Sequence, residues 1–350
     1  MTDIRSLSIN ELTEALISLG EPKYRAAQLF SWLHEKRVSS FEKMTNLPKS
    51  LRAKLSDSFG FYVPKQVRKQ VSKDGTVKYL WAMEDGAFVE TVRMRYNYGD
   101  TACISSQVGC KMGCAFCASG MNGFERNLTV NELLEEVYSM ERGGQSSDPS
   151  CLHNIETLSH IVVMGMGEPL ENYENLVKFI RILGDAKGRD FSLRNITVST
   201  CGLVPEIYKL SEEGLPITLA LSLHAPNDEK RRELMPVARR YTLQETLKAV
   251  EAYYLKTGRR CTLEYALIKG VNDSAEDAKE LSGLVKSIEG SPHVNLIPVN
   301  PVTESGFLSG DARGFQLKLE KNGINVTIRK ELGRDIDSAC GQLRRRMISE

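Results

Sequence analysis

The sequence predicts an α/β fold built on a parallel sheet, and two observations carry that expectation. From Thr101 onward, apolar segments of strand length recur near 101–105, 160–165, 196–200, 217–223, 262–268 and 294–299. The stretches between them, among them Val130 to Glu141, Tyr173 to Leu183, Leu243 to Leu255 and Ala275 to Ile288, repeat apolar residues at helical spacing. Six strand-helix units imply right-handed crossovers in either an open doubly wound sheet or an incomplete TIM-like barrel, and the pattern alone does not choose between them.

Taken in order, the chain opens with a small helical domain over residues 1–70. Leu12, Ala15, Leu16 and Leu19, then Ala26, Leu29, Phe30 and Leu33, fall on helical faces, and Pro22 and Pro48 divide the pattern into short helices. Residues 71–100 form a β extension, with strands over Lys78 to Met83 and Phe88 to Met94 turning at Glu84, Asp85 and Gly86. The main domain spans 101–343. Its first helix is signalled by Thr129 and Glu132, a capping-box pair, and residues 142–159 read as a loop. A last strand is expected from Val326 to Lys330, and a basic tail over 344–350 carries Arg344, Arg345 and Arg346.

Composition narrows the class. With 41% apolar and 26% charged residues, the 350-residue chain is globular rather than disordered. Asp3, Arg5, Glu11 and Glu14 break up the first twenty residues, and no later apolar run reaches membrane length, so a cytoplasmic protein without membrane association is expected. In that compartment eight cysteines do not form a disulfide framework. Residues 1–70 hold twelve Lys or Arg against seven Asp or Glu, so the positive excess sits at the front of a chain whose net charge is only +1. Such asymmetry fits a nucleic-acid-facing module as well as a solvated helical surface.

The most specific local signal is Cys110-Lys-Met-Gly-Cys114-Ala-Phe-Cys117, which follows a predicted strand and precedes a capped helix. Three thiolates can hold three irons of a [4Fe-4S] cluster and leave the fourth iron open for chemistry. A structural zinc would need a fourth ligand nearby, and neither His nor Cys follows within about thirty residues, where tetrahedral sites draw their closing ligand.

At these residues the sequence resembles the radical S-adenosylmethionine (SAM) superfamily. Further segments are similar to the RlmN family of RNA methyltransferases: Cys103-Ile-Ser-Ser-Gln-Val-Gly-Cys110, Gly165-Met-Gly-Glu-Pro169, Ser199-Thr-Cys-Gly202, Ser222-Leu-His-Ala-Pro-Asn-Asp228, Ile297-Pro-Val-Asn-Pro301 and Asp335-Ile-Asp-Ser-Ala-Cys-Gly-Gln-Leu343. Together they cover the chain from about Val89 to Leu343, and Tyr24-Arg-Ala-Ala-Gln28 resembles the family's accessory domain. The resemblance implies a partial (β/α)6 TIM-like radical SAM barrel with its site at the C-terminal ends of the strands.

It also implies roles. Cys110, Cys114 and Cys117 would bind the cluster. Gly167 and Glu168 would hold the methionine part of SAM, and Ser199, Ser222, Leu223, His224 and Asn300 would make further SAM contacts. Cys340 would carry the methyl group, with Cys103 its redox partner in a transient disulfide. Glu90, on a strand where a half-exposed glutamate is ordinarily solvated, would accept the ring proton. Cys151, Cys201 and Cys261 have no such placement and read as small packing residues.

The implied reaction is methylation of adenine C2 in 23S rRNA, in the peptidyl-transferase region, and in tRNA, at the adenosine 3′ of the anticodon. Two SAM molecules are consumed per methyl group, and an electron donor and a disulfide reductant are required. The alternative is the sister Cfr-type reaction at adenine C8, although Pro169, Ala225 and Pro298 in their motifs look more like RlmN.

Overall fold

The structure is a computed structural model of the chain and describes residues 1–121, 123–143, 157–299 and 306–336. Asn300, Cys340, Cys151 and the tail 344–350 lie outside the described residues. Ten strands form one sheet: β1 (Lys65–Val71), β2 (Val77–Ala82), β3 (Phe88–Tyr96), β4 (Gly99–Ile104), β7 (Leu158–Val163), β8 (Ile196–Thr200), β9 (Thr218–Ser222), β10 (Thr262–Leu267), β11 (His293–Pro298) and β12 (Val326–Ile328). A separate hairpin pairs β5 (Gln107–Gly109) with β6 (Phe124–Asn127).

Strand order decides between the two architectures that the pattern left open. From β4 to β12 every neighbour is parallel and every strand lies beside its successor in the sheet. A doubly wound sheet reverses its order at a switch point. This one never does, so it is the partial TIM-like barrel, with β12 a short seventh parallel strand. β1 to β3 extend it antiparallel on the β4 side.

The helices follow the 3.6-residue periods. They are α1 (Ile9–Ser18), α2 (Tyr24–Phe30), α3 (Lys49–Ser58), α4 (Val130–Gly143), α5 (Tyr173–Leu183), α6 (Val204–Glu212), α7 (Asp228–Leu234), α8 (Leu243–Thr257), α9 (Ala275–Ser287) and α10 (Ala312–Lys321). The expected capping box ahead of α4 is present: the Thr129 N–H donates to Glu132 at 2.8 Å and the Glu132 N–H to Thr129 Oγ1 at 3.3 Å. No helix among the described residues is long and apolar enough to cross a membrane.

One apolar core runs from α1 to α3 through α4 into the barrel, linking Leu12, Leu33 and Leu55 with Val137, Ile161 and Leu263. Within it Arg5 pairs with Glu135, both fully buried, and stacks over the Phe61 ring at 4.1 Å. The Asn131 N–H donates to Ser6 Oγ at 3.1 Å, and His34 meets the Tyr138 hydroxyl at 3.1 Å. A buried charge pair of this kind is costly to break from one side. The helical segment is thus keyed to α4 rather than tethered to it.

Past β12 the chain returns to the opposite edge of the sheet. Leu332 packs on the patch formed by Val92, Met94 and Cys103. The Gly333 N–H donates to Asp74 at 2.8 Å, and the Lys73 N–H and Ser72 hydroxyl donate to Asp335.

Candidate active site

A cavity of about 290 Å³ opens where the strands end. Its wall brings together Cys110, Cys114 and Cys117 with Gly167, Glu168, Ser199, Ser222 and His224, residues separated by more than a hundred positions in the chain. Polar groups at the C-terminal ends of barrel strands are where such folds build their sites.

The three cysteines lie on the loop between β5 and β6, a hairpin that the sequence patterns did not reveal. The Cys110 N–H donates to the Gly123 carbonyl at 3.1 Å, and the Ala115 N–H to Leu234 at the end of α7 at 2.9 Å. Burial pushes the Cys110 thiol up to about 11, helped by the neighbouring Cys117, and raises Cys114 further for the same reasons. Three half-buried thiols on one loop, two of them held protonated when alone, are a donor set that suits a multiply charged centre. Among the described residues no three His, Cys, Asp or Glu side chains close on a single ion.

The turn after β7 shows why its glycines are needed. A Cβ on Gly165 would lie 2.7 Å from the Ile104 carbonyl oxygen. Gly167 has φ +101, and a Cβ there would lie 2.6 Å from Gln107. The turn therefore presses against β4 and β5, and the Glu168 N–H donates to Gln107 Oε1 at 2.8 Å. Glu168 is fully buried. Its carboxylate accepts from the Cys201 N–H at 2.7 Å and the Leu170 N–H at 3.1 Å, while burial raises its pKa. The result is an anchored carboxyl acceptor beside the loop that carries the three cysteines.

His224 has φ +55, a strained conformation for a non-glycine residue. The fold over-determines it. The His224 N–H donates to the Glu264 carbonyl at 3.2 Å, its carbonyl accepts from Asn272 at 2.8 Å, and its Nδ1 accepts from the Ala266 N–H at 2.9 Å. That last bond leaves the proton on Nε2. Burial holds the ring pKa down to about 3, so a neutral N–H donor faces the site. Ser199 and Ser222 hydroxyls are 3.3 Å apart on adjacent strands.

Several expectations are corrected by these contacts. The Leu223 side chain is fully buried in the core, and its N–H donates to the Glu264 carbonyl at 3.0 Å, so a contact from this residue to SAM would be made by its backbone. Glu90 is not solvated: it is buried and paired with Lys78 at 2.9 Å. Cys201 is more than packing, since it lines the cavity and its N–H anchors Glu168. Cys261 does pack, its thiol directed at the Val250 carbonyl 3.8 Å away. Cys103 is buried on the inner face of β4, in register with Val92 and Val162.

Some site residues had no sequence signal. Gln107 and Asn272 hold the backbone described above. Arg231, fully buried, donates to the carbonyls of Cys201 at 2.7 Å and Leu223 at 3.3 Å, tying β8 to β9. Glu264 lines the cavity and accepts from Asn295 at 2.8 Å, and burial raises its pKa.

Comparison with known proteins gives the same direction. A family model described as the ribosomal RNA large subunit methyltransferase N-terminal domain matches residues 2–60. The radical SAM superfamily model matches residues 151–281, a range that begins beyond the three cysteines. A protein of Lachnoclostridium phytofermentans named probable dual-specificity RNA methyltransferase RlmN is 52% identical over 347 residues, covering 98% of this chain and 94% of its own. A protein of the same name from Lachnospira eligens is 49% identical, covering 100% of this chain and 98% of its own. The crystal structure of a radical SAM methyltransferase from Sphaerobacter thermophilus matches with a TM-score of 0.90 at 42% identity, covering 98% of this chain and 99% of that one.

Proposed function

The chain belongs to the RlmN family of radical SAM methyltransferases, and from that premise we propose that it methylates C2 of adenine in 23S rRNA and in tRNA. The observation that carries the reading is the single cavity in which Cys110, Cys114 and Cys117 meet Gly167, Glu168, Ser199, Ser222 and His224. A cytoplasmic location, RNA docking by residues 1–70 and two SAM molecules per methyl group belong to the same proposal.

When bound, the [4Fe-4S] cluster supplies the electron that cleaves SAM to a 5′-deoxyadenosyl radical. The three thiols would hold it. Glu168 would accept from the ammonium of SAM and Gly167 would let the methionine lie against the backbone, while His224 offers its Nε2–H. The wall of Ala266, Ile297 and Val299 leaves apolar room for the nucleoside.

Cys340 takes a methyl group from one SAM by displacement, and a hydrogen atom leaves that methyl group for the radical from the second. The methylene carbon then bonds to adenine C2. The adduct would return one electron, the one spent in cleavage, to the bound cluster, and its ring proton passes to Glu90, whose carboxylate is held by Lys78. Cys103 attacks the Cys340 sulfur. The carbon-sulfur bond breaks with its electron pair on carbon, which takes a proton and becomes the methyl product, and an external thiol reduces the disulfide. Asp335 is anchored beside the β1–β2 turn, and the five residues from there to Cys340 reach at most about 18 Å. Leu332 packs on the Cys103 patch, which supports the pairing of the two cysteines.

The test is methylation of rRNA and tRNA transcripts by the anaerobically reconstituted protein, with nucleosides separated against 2-methyl- and 8-methyladenosine standards. The expected product is 2-methyladenosine in both RNAs; 8-methyladenosine as the sole product would replace the proposed regiochemistry.

A further inference from the structure

Beyond the cavity, the sheet presents an aromatic stack for which the methyl transfer has no use. Tyr96 ends β3 and Tyr98 follows in the short turn to β4. Their rings lie 4.9 Å apart and 7° from parallel, and the His160 ring abuts Tyr98 edge-on at 5.0 Å. Tyr98 is nevertheless 63% exposed. Its orientation is set by two neighbouring rings while much of its own surface stays in water, an arrangement that favours a flat partner.

The stack sits at the start of β4, the opposite end of the strand from the cavity, and Tyr96 links it to the barrel interior. Tyr96 packs against the patch that contains Cys103, and its hydroxyl lies within electrostatic reach of Arg329, a cavity-wall residue. Two strands away the sheet edge is cationic: from Lys65 to Lys73 the chain carries Lys65, Arg68, Lys69 and Lys73 with no acidic residue before Asp74, the Lys73 end lies nearer the stack, and β1 is exposed along nearly its whole length. Arg95, more than half exposed, pairs with Asp100 at 3.4 Å, and its stem lies beside Gly75 in the β1–β2 turn. Lysines on an edge strand also discourage edge-to-edge pairing. The exposed ring is what singles out a nucleobase as the occupant.

We propose that Tyr98, stacked on Tyr96, is a platform for an unpaired nucleobase of the RNA some nucleotides away from the base that enters the cavity, with the β1 cations on its phosphates. Single-stranded RNA is commonly held by base-aromatic stacking over a cationic track. The inference rests on the RNA reading above and adds to it a surface and a binding mode.

The experiment uses full-length protein and a fluorescein-labelled tRNA anticodon stem-loop, followed by anisotropy. Tyr98→Ala is expected to weaken binding about tenfold, while Tyr98→Phe and Tyr98→Trp keep it, because stacking depends on the ring and not on the hydroxyl. The salt dependence of Tyr98→Ala should match wild type, since no phosphate contact is removed. Tyr98→Trp should show quenching on RNA addition beyond that of the native Trp32 and Trp81. Unchanged 5′-deoxyadenosine formation by Tyr98→Ala without RNA reports an intact fold. Equal RNA affinity of Tyr98→Ala and wild type, or an equal loss in Tyr98→Phe, overturns the platform alone. A wild-type protein with no affinity for the stem-loop or for an rRNA fragment overturns the RNA reading and the platform together.

Discussion

The backbone N–H of Cys201, at the end of β8, donates to Oε2 of Glu168, in the turn after β7, at 2.7 Å. This contact joins the ends of two neighbouring strands at the cavity wall and fixes the carboxylate proposed to receive SAM.

Glu168→Gln should weaken SAM binding about tenfold or more, because a charge-assisted partner of the ammonium becomes neutral. Burial raises the Glu168 pKa above the ordinary carboxylate value. Wild-type SAM affinity therefore falls as pH drops through that raised value, and the Gln variant lacks this component. Equilibrium dialysis with labelled SAM across pH measures both; a wild-type profile identical to the variant's would remove Glu168 from the SAM site.

Gly167→Ala should destabilise the fold by roughly 2–4 kcal/mol, combining an unfavourable positive φ with overpacking against Gln107. Denaturant titration checks it, and an unchanged midpoint would mean that the turn relaxes freely.

Much of this architecture was readable in the sequence. Tyr173–Leu183 was expected at its observed bounds because its apolar period is uninterrupted, and the Thr129/Glu132 box marked the start of α4. β5 and β6 were not, since a three-residue strand beside glycine-rich and cysteine-rich sequence shows no alternation. Lys65–Val71 reads as a charged surface because β1 is an exposed edge. Within the site, cysteines at a fixed spacing announce themselves. Gln107, Asn272 and Arg231 do not, because their role is to satisfy backbone groups of distant segments, a three-dimensional relationship without a local pattern. Glu90 was misjudged in its surroundings: the partner that lets it be buried, Lys78, stands on a different strand.

Glu136 supplies a stability test away from the chemistry. It is fully buried, accepts only the Ser105 N–H at 2.8 Å among its resolved hydrogen bonds, and burial raises its pKa well above the usual value. A raised carboxyl pKa favours folding below the unfolded-state value and loses that contribution as pH rises. Glu136→Gln keeps the acceptor and removes the ionisation cost, so its melting temperature should exceed wild type at pH 8 by about 2 °C or more. The difference should shrink toward pH 4. A variant less stable at every pH would show that the carboxylate has a charged partner in solution.

Replacing any one of Cys110, Cys114 or Cys117 with Ala should abolish 5′-deoxyadenosine formation from SAM and lower the iron retained after anaerobic reconstitution, because each thiol holds a different iron. Wild-type cleavage by any of the three variants would contradict the ligand assignment.

The most direct test of the proposed chemistry is the fate of RNA on a Cys103→Ala enzyme. The methylene of Cys340 can still bond to the adenine, but the sulfur has no thiol to which it can transfer. Denaturing electrophoresis and mass spectrometry after mixing with RNA, SAM and reductant should reveal a covalent protein-RNA species with Cys103→Ala and none with Cys340→Ala. Normal turnover of Cys103→Ala without any adduct would contradict the account.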